Sequence, residues 1–564
     1  MTADALPGPT SRTKSFALDG EVIVGAAILA LALVGGLATA GDYGITIDEF
    51  NTEDYGPKAL VWYTSGFTDR SHFDTVEFSL WYYGPWFQIL TAFAQSFGFA
   101  DPLSVRHAMT FLVGLAGLSA LLPIGRLALG RWAGPAALIL CLTTGYLYGS
   151  LFFTPIDVPF LAAMCWATLA IIAMARQVVP AWPATICAGL ATGLAIATRT
   201  GGIIAHAYLI GAMILCAVEA LALNGRTAWP ELRAISVRAA AAMAIAWAIA
   251  VALWPWLQIG NPFTQFKIAF VHFANIGLDF PFPHWGEELR TAALPRLYIV
   301  EQWLARLPVG FLGLLLLAAL FALAQLFSFS RLSLERFVQQ GPAGLRLPIL
   351  LLARSRGVLL VWMAVVVPVG FLMVRHATLY DAVRHTLFVI PMLALIGGWA
   401  LVRLLLYLRR ARVAIAPLAA AYIGVAIADL ATLHPLEYVA TNALAGGTAG
   451  SHGRFELDYW AAAATEALRR LEQRLDAAGA FAHDPPSIHI CMLYRDHMVG
   501  AMLRKNWRLE LDIKKADFVI ETERLRCAAD LDELMLIDAV KRYERPFAWI
   551  HVNKASCFID AARP

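Results

Sequence analysis

Residues 78–98 read FSLWYYGPWFQILTAFAQSFG, and whether this apolar stretch crosses a membrane decides the side on which everything after it lies. A spanning helix needs about 20 predominantly apolar residues, and the stretch is long enough. Gly84-Pro85 interrupts it, however, and aromatic residues crowd its first half. Proline removes a helical hydrogen bond and clashes with the preceding turn. Aromatic rings gather where apolar and aqueous phases meet. The segment therefore reads as a helix lying at a membrane surface and not as a span.

Eleven other apolar runs are expected to span: 21–40, 104–125, 134–153, 157–175, 182–198, 202–223, 237–257, 308–329, 357–374, 385–407 and 411–431. Composition agrees. Hydrophobic residues make up 59% of the 564 residues and charged residues 15%, against about 25% charged in soluble domains, and mean hydropathy is +0.63. Soluble, disordered and fibrous classes are excluded. A net charge of +3 with no basic run interleaved with aromatics gives no nucleic-acid signal. The expected fold is an α-helical polytopic membrane protein of about 11 transmembrane helices, with a long first outer loop and a small C-terminal α/β soluble domain.

Basic loops face the cytoplasm. With the N-terminus inside, the inner segments hold Arg12 and Lys14; Arg126 and Arg131; Arg176; Arg226, Arg233 and Arg238; Arg331, Arg336, Arg346, Arg354 and Arg356; and Arg409, Arg410 and Arg412. Every inner loop is then basic, and counting 78–98 as a span would turn the later ones outward. Ala38-Thr39-Ala40 resembles a signal-peptidase site, but the run before it is long for a signal segment and reads as an uncleaved span. The expected domains are 1–434, in the membrane, and 435–564, outside it. In the tail, 460–478 reads as an amphipathic helix with Leu468, Leu471 and Leu475 on one face. Strands are expected at 487–493, 517–521 and 547–552, and a helix at 529–543. The link 442–453, rich in glycine and small residues, is expected to move. Cys141, Cys165, Cys187 and Cys216 lie in apolar runs and read as packing residues. Cys491, Cys527 and Cys557 leave one disulfide open.

Polar residues at span edges are costly and tend to mark sites, and here they concentrate outside. Asp48-Glu49 follows the first span by a few residues and can supply a general base. Asp157 enters the fourth span, either capping its helix or lining a site. Arg199 ends the fifth span in Ala-Thr-Arg-Thr-Gly-Gly, against the charge rule. Arg375-His376 precedes Tyr380-Asp381-Ala382-Val383-Arg384-His385. Arginine suits bidentate phosphate contact, so Arg199, Arg375 and Arg384 beside an acidic pair point to an anionic lipid headgroup held next to a base.

These residues, with Arg106-His107 near the second span, Pro155-Ile156-Asp157 and the long aromatic first loop, resemble the C-type glycosyltransferases. Within them the similarity is to the protein O-mannosyltransferase and aminoarabinose transferase branch (glycosyltransferase family 39-like), over roughly 20–430. His434-Pro435-Leu436-Glu437-Tyr438 and Glu456-Leu457-Asp458-Tyr459-Trp460 resemble bacterial members of that branch. The family's His-Pro-Pro motif is missing; Tyr83-Gly84-Pro85-Trp86 stands roughly there. The resemblance implies an integral membrane glycosyltransferase that moves a sugar from a polyprenyl-phosphate donor to a lipid, glycan or protein acceptor, with inversion. It implies a bacterial inner membrane, with the site and C-terminal domain facing the periplasm. Asp48 takes the place of the base, with Glu49 and Asp157 as further catalytic candidates. Arg199, Arg384, Arg375 and Arg106 are the donor-phosphate candidates, and Tyr380, Asp381, His385 and His107 the substrate contacts. No cofactor or metal is expected; a divalent ion, if used, would sit at Asp48, Glu49 and Glu53. The alternative is a transporter or flippase of a lipid-linked or anionic substrate, which predicts broken helices near the bilayer centre and often an internal repeat. An enzyme is expected to line one outward cavity with both Asp48 and Arg199.

Overall fold

A computed structural model describes residues 19–74, 77–275, 277–408, 410, 412–482, 485–491, 502–503, 505–528 and 531–562. Arg12, Lys14, Arg409 and the side chain of Arg412, assigned to inner loops, lie outside them. The helices used below are α1 Gly20–Thr39, α2 Ile47–Glu53, α3 Tyr55–Thr64, α4 Trp86–Gln95, α5 Pro102–Ser119, α6 Ala133–Leu142, α7 Gly145–Phe153, α8 Asp157–Met174, α9 Trp182–Ile196, α10 Ile204–Asn224, α11 Trp229–Leu253, α12 Pro262–Ala274, α13 Tyr298–Arg306, α14 Val309–Gln340, α15 Arg356–Arg375, α16 Ile390–Tyr407, α17 Arg412–Leu433 and α18 Ala463–Ala477.

A helix occupies each of the eleven expected runs, but length and apolarity do not confirm all eleven as spans. Among the described residues, eight helical stretches are long and apolar enough to cross a membrane, or nine with one bent pair. That pair is α6 and α7, which meet at 74°. Thr143 and Thr144 bend the chain there: each hydroxyl donates to a carbonyl one turn back, Ile139 O and Leu140 O, both at 2.7 Å. Helix α9 has 15 residues, about 22 Å of rise, short of a hydrocarbon core of about 30 Å. It packs on α11 through Gly189 and Gly193, whose missing side chains admit Ile245 and the Ala246 carbonyl. The stretch Thr200–Leu253 comprises α10 and α11, parted at Gly225. The aromatic segment 78–98 does not span: it forms a short 3₁₀ turn over 77–82 and then only α4 after Gly84-Pro85.

The buried Arg356 is paired. Glu219 on α10 takes Arg354 at 2.9 Å and also Arg356. Of the four apolar-run cysteines, Cys141, Cys165 and Cys216 are buried, whereas Cys187 is exposed.

The tail forms a five-stranded mixed sheet of order β4-β3-β5-β7-β6, from β3 Ser487–Ile490, β4 Arg508–Leu509, β5 Phe518–Thr522, β6 Leu534–Arg542 and β7 Arg545–Asn553. A short hairpin of β1 Pro281–His284 and β2 Glu287–Arg290 stands apart in the preceding loop. Helix α18 packs against β5 and β7, with Leu468, Leu471 and Leu475 buried as their spacing requires. The expected strand 487–493 ends at 490, and 492–493 lie outside the described residues. The helix expected over 529–543 is instead β6. Tyr543 and Glu544, at φ +49° and +60°, turn it directly back into β7, as a two-residue hairpin requires. That turn usually announces itself by Asn-Gly, and here it does not. Cys491 and Cys527 form a disulfide.

The link 442–453 is anchored, contrary to its composition. Asn442 Nδ2 donates to Leu304 O and Leu307 O at 2.6 Å each, and its Oδ1 accepts from Leu444 N and Ala445 N. Thr441 Oγ1 pairs with Ser451 Oγ at 2.8 Å. Further hydrogen bonds tie the tail to the helical part: Ile45 N to Thr465 Oγ1 at 3.1 Å and Tyr459 Oη to Tyr146 Oη at 2.7 Å.

Candidate active site

Helix α2 opens on Thr46-Ile47-Asp48-Glu49, and successive helical residues point about 100° apart. The two adjacent carboxylates therefore meet different surroundings. Glu49 turns inward. Its Oε2 accepts from Thr46 N at 2.9 Å and Thr46 Oγ1 at 3.0 Å, closing a capping box. Its Oε1 lies 3.0 Å from His107 Nε2, and Arg106 donates to the Glu49 carbonyl at 3.0 Å. All three residues are buried and fasten α2 to α5. None of them lines either cavity described below, so Glu49, Arg106 and His107 stand apart from the other candidates. Thr-x-x-Glu is a readable capping signature, and it marks Glu49 as a fastener.

Asp48 turns outward to Arg384. Arg384 is a hub: besides Asp48 it binds Asp157 through Nε at 2.8 Å and Asp381 through Nη1 at 3.0 Å. Asp157, in the first turn of α8, also accepts from Arg199. Asp381 reaches Arg524 of the tail at 3.2 Å, and Arg524 Nε lies 3.4 Å from Glu456. Charges of alternating sign thus run from Arg199 to Glu456. Asp381 and Ala382 hold φ of +57° and +58°, backbone strain that clusters at functional loops and aims Asp381 at both arginines.

Two cavities adjoin this network. One, of about 270 Å³, is lined by Arg199, Arg375 and His385 among Phe160, Phe371 and Phe388. It holds cationic groups and apolar walls but no carboxylate. The other, of about 760 Å³, is lined by Asp48, Asp381, Arg384, Glu456, Glu523 and Arg524 with aromatic neighbours. Tyr83, Phe273 and Tyr380 belong to both walls. The expectation of one cavity holding Asp48 and Arg199 is therefore corrected to two cavities meeting at these three rings, with Asp157 behind the seam. Tyr380 also stacks edge-on against His385, with centroids 4.7 Å apart.

The non-spanning segment 78–98 builds the seam. Gly84 lies against the turn after α9, where a Cβ would fall 1.4 Å from the Ala197 carbonyl oxygen, so only glycine fits. Its N–H donates to Thr198 O at 3.3 Å, and Trp86 Nε1 donates to Thr198 Oγ1 at 2.8 Å. The neighbouring Tyr83 ring then sits 5.9 Å from the Arg199 guanidinium, within cation–π range.

Burial lifts the Asp48 carboxyl and Arg384 pulls it partly back, which leaves it raised to about 6. A general base works in its ionised form, so a reaction that uses Asp48 as its base is expected to speed up with rising pH and to reach half its plateau near pH 6. A single-turnover rate profile measures this, and a rate flat across roughly pH 5 to 8 removes Asp48 as the base.

Of the divalent-ion set Asp48, Glu49 and Glu53, Asp48 faces Arg384, Glu49 faces Thr46 and His107, and the side chain of Glu53 lies outside the described residues. Glu523 and Arg524 carried no sequence signal. They follow β5 as ordinary polar loop residues, and only the docking of the tail brings them to the wall.

The sequence matches no protein-family profile and no curated protein. Among solved structures the chain is similar to ArnT from Cupriavidus metallidurans bound to undecaprenyl phosphate, with TM-score 0.48 and 14% identity over 97% of this chain and 100% of that one. The apo ArnT structure gives TM-score 0.49 and 14% identity over 97% and 99%. The archaeal oligosaccharyltransferase AglB from Archaeoglobus fulgidus, in complex with an inhibitory peptide and a dolichol-phosphate, gives TM-score 0.44 and 11% identity over 88% and 69%.

Proposed function

We propose that the chain is a membrane glycosyltransferase that moves a sugar from a polyprenyl-phosphate donor to an acceptor hydroxyl where the two cavities meet. The observation that carries this is their division of labour. A cationic, apolar-walled cavity suits a lipid phosphate, and a polar cavity holding a carboxylate with a raised pKa adjoins it across Tyr83, Phe273 and Tyr380.

In this reading the acceptor O–H gives its proton to the Asp48 carboxylate. The acceptor oxygen then bonds to the anomeric carbon from the face opposite the phosphate. The sugar–phosphate C–O bond breaks and its electron pair leaves on the phosphate oxygen, inverting the centre. Arg199 and Arg375 stabilise the departing charge. Arg384 lines the acceptor side and is paired with three carboxylates, so its part is to position Asp48 and Asp157. Outward orientation is supported by the basic inner loops and by the Cys491–Cys527 pair, which suits an oxidising compartment such as the periplasm. The transporter reading draws less support. The one bent helix pair among the described residues, α6 and α7, carries no charged residue, and the charged network lies at the helix ends.

The test is binding of polyprenyl phosphate to purified protein in nanodiscs, followed by native mass spectrometry. Arg199→Ala is expected to weaken it roughly 10- to 150-fold, the loss of a charged hydrogen bond of about 1.5–3 kcal/mol. Asp157 keeps Arg384 in that variant, so the fold should stand. Unchanged affinity would place the phosphate elsewhere.

A further inference from the structure

Part of the wall of the larger cavity is not made by the helical part. Glu456, Tyr459, Trp460, Glu523, Arg524 and Leu525 all come from the tail and stand opposite Asp48 and Arg384. The tail is therefore part of the site, and the chemistry of its wall bears on what enters.

We infer that the C-terminal domain builds an acceptor subsite for a neutral, polyhydroxylated glycan and turns away phosphorylated acceptors. This rests on the two-cavity reading above and adds the class of acceptor.

Charge is the first argument. Four carboxylates, Asp48, Asp381, Glu456 and Glu523, line the cavity against two guanidiniums. Both guanidiniums already face carboxylates: Arg384 binds Asp48, Asp157 and Asp381, while Arg524 binds Asp381 and Glu456 and donates to Tyr459 O at 2.7 Å. An entering phosphate would meet two guanidiniums that carboxylates already neutralise, and would bring its own charge beside Asp48 and Asp381. The smaller cavity differs: no carboxylate lies in its wall, and Arg375 stands there beside Arg199, whose ion pair is to Asp157 outside that wall. Anions are thus sorted to the donor side.

Hydrogen-bonding character is the second. Burial pushes Glu456 up to about 7 and Glu523 up to about 8. Near neutrality each carries a carboxyl O–H part of the time, and a carboxyl that both donates and accepts matches sugar hydroxyls. Trp460 adds an independent observation. Its ring lines the cavity, and its buried indole N–H has no hydrogen-bond partner among the described residues. Native structures rarely leave such a donor unmet.

Shape is the third. Tyr83, Phe273, Phe280 and Tyr380, each partly exposed, give flat apolar faces of the kind that stack on the C–H face of a sugar ring. About 760 Å³ is within the usual range for small-ligand sites.

The experiment uses the full chain in nanodiscs loaded with polyprenyl phosphate, with saturation-transfer NMR as the readout. The probes are a neutral trisaccharide, the same trisaccharide carrying a phosphate ester, the same sugar carrying an amine, and a hydroxyl-rich peptide. The neutral sugar is expected to receive saturation from aromatic protons. Glu523→Gln keeps the shape of the wall and is expected to leave neutral-sugar binding in place. Glu523→Ala is expected to weaken it about tenfold, and Glu523→Lys to admit the phosphorylated sugar. Equal binding of phosphorylated and neutral sugars to the wild type overturns the inference, and so does binding of the peptide or the amino sugar alone. Polyprenyl phosphate affinity is measured in the same variants. If it is unchanged while sugar selectivity shifts, the inference stands. If wild-type protein binds the sugars as expected but Arg199→Ala leaves donor affinity intact, the donor reading fails and the glycan subsite survives.

Discussion

Asp48→Asn is expected to lower sugar transfer by about 10²- to 10⁴-fold, the usual contribution of a positioned general base, while polyprenyl phosphate affinity changes by no more than about twofold. Asparagine is nearly isosteric and still accepts from Arg384, so the network is kept and the proton acceptor is lost. Asp48 lines the cavity opposite the tail wall, and the donor phosphate is assigned to the adjoining cavity. Single-turnover kinetics with bound donor separate the two effects. Glu49 is the natural comparison because it is the neighbouring carboxylate. Glu49 is buried and committed to Thr46 and His107, so Glu49→Gln is expected to alter thermal stability more than the chemical step. A near-normal rate in Asp48→Asn would remove Asp48 from the mechanism.

Arg384→Ala is expected to cost about 3–5 kcal/mol of stability, because truncating one partner of a buried ion pair leaves the other charge uncompensated. Here three carboxylates depend on one guanidinium. Asp157 retains Arg199 and Asp381 retains Arg524, but Asp48 loses the arginine that holds it. Thermal unfolding in nanodiscs measures the cost, which should far exceed that of Arg199→Ala. Arg384→Lys keeps the charge but not the fork that reaches three partners, and should fall between. If Arg384→Ala keeps wild-type stability and instead loses polyprenyl phosphate, then Arg384 holds the donor phosphate directly and is no hub.

The amino-acid sequence by itself determined the features that depend on neighbours along the chain. Runs of apolar residues demand an apolar solvent, so a helical membrane architecture followed from composition and run length. Gly84-Pro85 broke the one ambiguous run. The spacing of Leu468, Leu471 and Leu475 placed the buried face of α18, and Thr46-Ile47-Asp48-Glu49 encoded its own cap. Charged residues at span edges are costly enough to stand out, which is why Asp48, Asp157, Arg199 and Arg384 were legible one at a time. Tertiary structure alone decided their partners. Arg384 meets Asp48 and Asp157 across more than two hundred residues of chain in each case, and no local pattern encodes such a distance. The same holds for β6, an apolar segment whose helical reading yields to pairing with β7 across a hairpin without the usual turn residues. It holds also for Glu523 and Arg524, ordinary in a loop until α18 and the sheet dock and turn them toward the cavity. Hydrophobic burial acts on each segment wherever it lies, whereas ion pairs and cavity walls exist only between segments, and so they form only once the chain has folded.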